Sequence, residues 1–301
     1  MERTAETYHA EWQAWATSPT AAADEKRDEA VIVMKQFLAD PKSKKFELDF
    51  FHMNLQELPQ NLPPGFTRLD LEGNRLKATP ENLPQNLDAL LLNDNPIGTV
   101  PSELPALLKE LQVGNCGLSG LPELPRFLEI LFLDCNHFSA LPELPKSLSD
   151  LSISGNDISE LPAFPERLKL FSAHNTQIKS FPKLPDSLLE FKCNETPIDV
   201  LPALPASMKR LRVDADVVSR TKAHLAAVKS RAQSVLDTIA PLIDTGSASV
   251  ATAPSASTTM IQEEFAVIHD DLAELASQLQ IKIFQADLQV EIIDRGLKAF
   301  A

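Results

Sequence analysis

With 301 residues, 44% of them apolar, the chain is long enough for a substantial core, and its formal net charge of −14 opposes phosphate backbones, so nucleic acid is not an expected partner. Three cysteines, without CxxC or Cys/His ligand spacing, exclude a disulfide framework and suggest neither a metal site nor a cofactor. No apolar run approaches the ~18–20 residues that span a bilayer, and the first residues lack the apolar stretch of a secretory signal, so neither a membrane partner nor Sec-type export is expected.

Two helices are predicted first, over residues 7–16 and about 25–39. Trp12 and Trp15 lie three apart, and Ala30, Val33, Met34, Phe37 and Leu38 follow helical spacing before Pro41 stops the run. Residues 1–45 are assigned to a helical N-terminal cap. A partial repeat follows at Phe46–Leu55, and then a phrase of about twenty residues recurs eight times to Val218, most clearly as LPELPRFLEILFLDCNHFSA and LPELPKSLSDLSISGNDISE. One column reads Asn74, Asn95, Cys116, Asn136, Asn156, Thr176, Thr196, Asp216, at intervals of 21, 21 and then 20. This is the leucine-rich-repeat pattern, L-x-x-L-x-L-x-x-N/C-x-L, at its short limit.

The period dictates the architecture. Alternate strand positions such as Leu111/Val113 and Leu131/Leu133 point into a core. The Asn column can bond backbone groups where the chain leaves each strand, building a ladder that Thr and Cys complete only in part. The returning LPxLP stretch cannot be an α-helix and should run extended; 19 of the 23 prolines lie between Pro59 and Pro205. The fold class expected for residues 46–218 is an α/β solenoid: a horseshoe of about eight 20–21-residue repeats, with a parallel sheet on its concave side, capped by helices.

Residues 219–244 read as a C-terminal capping helix that Pro241 ends, and 245–260, rich in Gly, Ser, Thr, Ala and Pro, as a flexible linker. Residues 261–301 form an amphipathic helical segment whose apolar seam runs through Leu272, Leu275, Leu279, Ile283, Ala286, Val290, Ile293 and Leu297 in steps of three and four. Ile281, Phe284, Leu288 and Ile292 widen its apolar face. So wide a face must fold back on the repeats, meet a second copy through 261–300, or engage a partner helix.

The strand residues that alternate outward form the concave face. Leu91, Ile130, Phe132 and Leu170 are apolar there, which marks a protein-binding patch, with Asp134 and His174 placed to orient a partner. Acidic Asp70, Glu72, Glu110, Asp134 and Asp150 gather towards the N-terminal part of this face, and Lys192, Lys209, Arg210 and Arg212 towards the other, a gradient that would steer binding. The expected partner-binding set is Leu91, Ile130, Phe132, Asp134, Leu170, His174, Lys192 and Arg212. Cys135 and His137 are close in sequence, but spacing implicates no third group, and no P-loop, GxSxG, HExxH or kinase signature occurs; no catalytic residue is assigned.

The LPxLPxxLxxLxxxxNxI phrase behind a Trp-containing helical pair resembles the repeats of bacterial type III secreted effectors, the IpaH-type ubiquitin ligases and the YopM-type scaffolds, over about residues 7–218. The resemblance implies delivery into a host cell and recognition of a host protein by the concave face. The Cys-x-Asp motif of the IpaH-type ligases is matched at none of Cys116, Cys135 and Cys193, so ligase activity is not carried over, and the YopM-type branch, which has no enzyme domain, fits better. The function expected is therefore that of a non-enzymatic module that scaffolds or sequesters a host protein. The alternatives are the recognition part of a ligase-type effector with a divergent catalytic domain, and a bacterial intracellular protein assembled through its terminal helix.

Overall fold

A computed structural model describes residues 4–39, 46–80, 82–246 and 256–298. Helices α1 (Ala5–Ala16) and α2 (Arg27–Ala39) precede nine strands of three residues each: β1 (Glu47–Asp49), β2 (Arg68–Asp70), β3 (Ala89–Leu91), β4 (Glu110–Gln112), β5 (Ile130–Phe132), β6 (Asp150–Ser152), β7 (Leu170–Ser172), β8 (Glu190–Lys192) and β9 (Arg210–Arg212). Helices α3 (Ala215–Gly246) and α4 (Ala256–Lys298) follow. All strands pair in parallel and in sequence order, so each coil of the solenoid adds one strand to one sheet. Leu111 pairs with Leu131 and Leu131 with Leu151, which stacks one repeat position on itself along the core.

The return limb is helix-free, as its prolines require. In each LPxLP stretch the second proline's carbonyl accepts from the amide three residues on, Leu108 N to Pro105 O and Leu128 N to Pro125 O both at 3.0 Å, a turn that aims the chain into the next strand. The asparagine ladder binds each coil to the one before it. Asn136 Nδ2 donates to Val113 O at 2.8 Å and Leu133 O at 2.9 Å, while its Oδ1 accepts from the amides of Cys116 and Leu118 at 3.1 and 2.9 Å. Cys116 gives Sγ contacts to Leu92 O and Gly114 O, whereas Thr176 and Thr196 each give one bond, to Ala173 O and Cys193 O. The ladder thus thins towards the C-terminus. Asp216 departs from the column: the chain turns into α3 at Ala215 before another coil can form, and its carboxylate instead meets Arg220 at 2.7 Å.

The first coil is closed by α1 and α2. Trp12 is fully buried, donates Nε1 to Asn61 O at 3.1 Å and lies against Phe50. Buried Arg27 clamps the two helices: it donates to Trp15 O at 2.8 Å, pairs with Glu25 and Glu57, and covers the Trp15 ring. The stop expected at Pro41 lies outside the described residues.

The C-terminal elements depart from expectation in two respects. Helix α3 runs through Pro241 to Gly246, although Pro241 has no N–H to donate to Asp237 O. Helix α4 begins at Ala256, inside the segment expected as linker over 245–260; positions 247–255 of that segment lie outside the described residues. Of the three destinations expected for the tail, the first is the one taken: it folds back. Helix α4 lies antiparallel to α3, joined by Lys222–Asp294 at 2.6 Å and Lys229–Asp287 at 2.7 Å, and its last turns close the open side of β9 with Ile292 and Ile293. Gln289 accepts from Leu204 N at 2.8 Å and donates to Leu204 O at 2.9 Å, and Arg295 donates to Ala206 O at 2.7 Å. Gly296 makes this approach feasible, because a methyl group there would stand 2.8 Å from Leu211 Cβ.

Candidate protein-binding face

Strands of three residues present their first and third side chains to one side, so nine stacked strands build a face two side chains wide, extended by the residue two positions beyond each strand. Among the described residues α4 touches no strand but β9, and the face over β2–β8 is left open.

Most of its polar side chains already bond each other. Arg68 reaches across the small Ala89 to Glu110 at 2.7 Å and also meets Glu47 at 2.9 Å. Asn93 donates to Glu72 Oε2 and Gln112 Oε1 and accepts from Gly114 N at 2.7 Å. Gln112 in turn donates to Glu110 at 2.6 Å. Leu91, flanked in register by Asp70 and Gln112 beside this network, is only 5% exposed and so does not offer the contact surface expected of it. The repeat pattern, which places Leu91 on the outward side of its strand, does not encode that burial.

The other apolar candidates remain reachable. Ile130 and Phe132 lie on β5 and Leu170 on β7, all half-buried, with Asp150 and Ser152 between them on β6. Asp134 accepts from Ser152 Oγ at 2.6 Å and Ser154 N at 2.8 Å, so its carboxylate is held rigidly beside Phe132. Ser154 continues the chain to Ser172 Oγ and to His174 N at 3.2 Å. Burial first, then the charges of Lys192 and Arg212, hold the His174 imidazole below its usual pKa and hence neutral near pH 7. Lys192 is paired with Glu190, which Arg210 also meets at 3.3 Å, while Arg212 is exposed.

The ends of the face differ in charge. Asp70 bonds Glu72 N at 3.1 Å; burial, with Asp49 and Glu72 nearby, pushes its carboxyl pKa up. Sequence reasoning missed two further exposed apolar side chains, Leu107 and Phe127, which fall in the turns just before β4 and β5. Their signal was their shared place in consecutive repeats. It also missed the bridging role of Asn93.

Burial pushes the Cys116 thiol up to about 11 and Cys193 higher still, which leaves both as poor nucleophiles near neutral pH. Cys135 is exposed. Among the described residues, no three His, Cys, Asp or Glu side chains converge as metal ligands would, and no helix is long and apolar enough to cross a membrane.

No protein-family model and no curated protein matches the chain. Among solved structures it is similar to the leucine-rich-repeat domain of a Shigella effector, at 32% identity over 65% of this chain and 87% of that one, with a TM-score of 0.58. It is also similar to YopM, a leucine-rich effector protein from Yersinia pestis, at 26% identity over 71% of this chain and 72% of that one, with a TM-score of 0.49. Parallel strand stacking, the asparagine ladder and this identity over most of the Shigella domain together show that the chain belongs to the leucine-rich-repeat family of that effector domain.

Proposed function

We propose that the chain is a non-enzymatic effector that holds a host protein against the inner face of its sheet, within the host cytoplasm after type III delivery. The observation that carries this reading is an open face with apolar side chains at its centre and opposite charge at its ends. Ile130, Phe132 and Leu170 supply the buried contact, each contributing about 1 kcal/mol on desolvation of the half of its surface still open to water. Asp134 and neutral His174 offer hydrogen-bonding groups beside them, and Lys192 and Arg212 attract an acidic part of the partner to the C-terminal strands.

The test is affinity capture from host-cell lysate with the wild-type chain and with an Ile130→Lys/Phe132→Ser variant. Lysine suits position 130 because Glu110 and Asp150 flank it in register. Loss of the captured protein with an unchanged melting temperature is expected. Undiminished capture by the variant rejects this face.

A further inference from the structure

The back of the helical hairpin carries a second surface, remote from the sheet face. Ala286, Ile292 and Ile293 of α4 are buried, yet Phe284 is 67% and Ile281 52% exposed, one helical turn apart. The apolar seam expected from sequence shifts here: Ala276 takes up the inward place of Leu275, which is 40% exposed. Phe284 lines a groove between α3 and α4 together with apolar Leu236, Ala240, Ala276 and Ile283 and the carboxylates Asp237 and Asp287. Its two alanines, one from each helix, leave room for a bulky side chain from outside.

The hairpin is also polarised along its length. Its distal half, Ala232–Gly246 of α3 and Ala256–Ile281 of α4, has no Lys or Arg and carries Asp237, Asp270, Asp271 and Glu274. The half nearest the repeats, Ala215–Arg231 of α3 and Lys282–Lys298 of α4, carries seven Lys or Arg against four Asp or Glu, so it keeps a net positive charge although Lys222 and Lys229 are paired with Asp294 and Asp287. We infer that the occupant of this groove is a second copy of the chain, its hairpin docked antiparallel about a two-fold axis near Phe284. A two-fold contact needs one patch to supply both halves of the fit. This patch does so twice, with an aromatic knob beside a shallow groove and an acidic tip opposite a basic root. Antiparallel docking sets each tip along the partner's root, whereas parallel docking would lay tip on tip and repel. The sheet face plays no part, so the pairing stands or falls independently of host-protein capture.

Light scattering on the full chain, across a concentration series, tests this. A mass of twice 33.1 kDa is expected for the wild type. Ile281→Asp/Phe284→Asp should raise the dissociation constant roughly a hundredfold, the effect of losing a central aromatic anchor, with unchanged helical circular dichroism. Asp271→Lys/Glu274→Lys should also weaken the dimer, and added salt should weaken the wild type. A wild-type monomer at the highest soluble concentration, or a dimer that survives Ile281→Asp/Phe284→Asp, overturns the inference. A dimer that tightens with salt overturns the antiparallel charge pairing.

Discussion

Asn136 fills its hydrogen-bonding capacity entirely with backbone groups from two coils, at a buried site. Asn136→Ala strands several buried amides and carbonyls at about 1–3 kcal/mol each, so a loss of roughly 3 kcal/mol or more in urea unfolding is expected. Thr176→Ala removes one bond to Ala173 O and should cost about 1 kcal/mol in the same measurement. Comparable losses at both positions would contradict a ladder that thins towards the C-terminus. His174 supplies a pH dependence. Its folded pKa lies below the ordinary 6.5, so the folded state resists protonation more than the unfolded chain does. Its contribution is complete above pH 6.5 and is lost as pH falls through the lowered folded value. The urea midpoint of His174→Asn should therefore fall less steeply than the wild type's between neutrality and that value. The ladder was legible in the sequence because one residue type recurs at one interval. The burial of Leu91 was not, because it depends on its neighbours in register on other strands, Asp70 and Gln112, and not on its place in the repeat.

At the scale of elements, α4 shows how a recognisable seam leaves its destination open. Steps of three and four announced an apolar stripe, but folding back, self-pairing and partner capture all satisfied it equally. What selects β9 is specific: Gln289 fits the backbone of Leu204, and Gly296 removes a side chain where helix and strand must nearly touch. In an ordinary exposed helix Gly→Ala would stabilise by about 0.5–1 kcal/mol. Here the added methyl meets Leu211 Cβ at 2.8 Å, and overpacking of this kind costs about 1–3 kcal/mol, which wins. Gly296→Ala is therefore expected to destabilise the chain and to speed amide exchange in Leu211 and the last turns of α4. A stabilised variant would mean that α4 does not rest on β9. Pro241 was read as a stop because proline disfavours helix interiors. The pairing of α3 with α4 supports the helix through it, and that support comes from a segment distant in sequence.

For the whole molecule, repetition made the coil legible and its ends opaque. Every repeat position was visible seven or eight times over, whereas each cap occurs once and carries no period. Both caps nevertheless answer one physical need. A parallel sheet built by stacking has a free edge at β1 and another at β9, each a row of unpaired amides and carbonyls above an apolar cross-section. Helix α2 lies against β1 and α4 against β9. With those edges covered, no further coil from a neighbouring chain can be added, and a design that could polymerise into an endless fibre is terminated as a particle of fixed length.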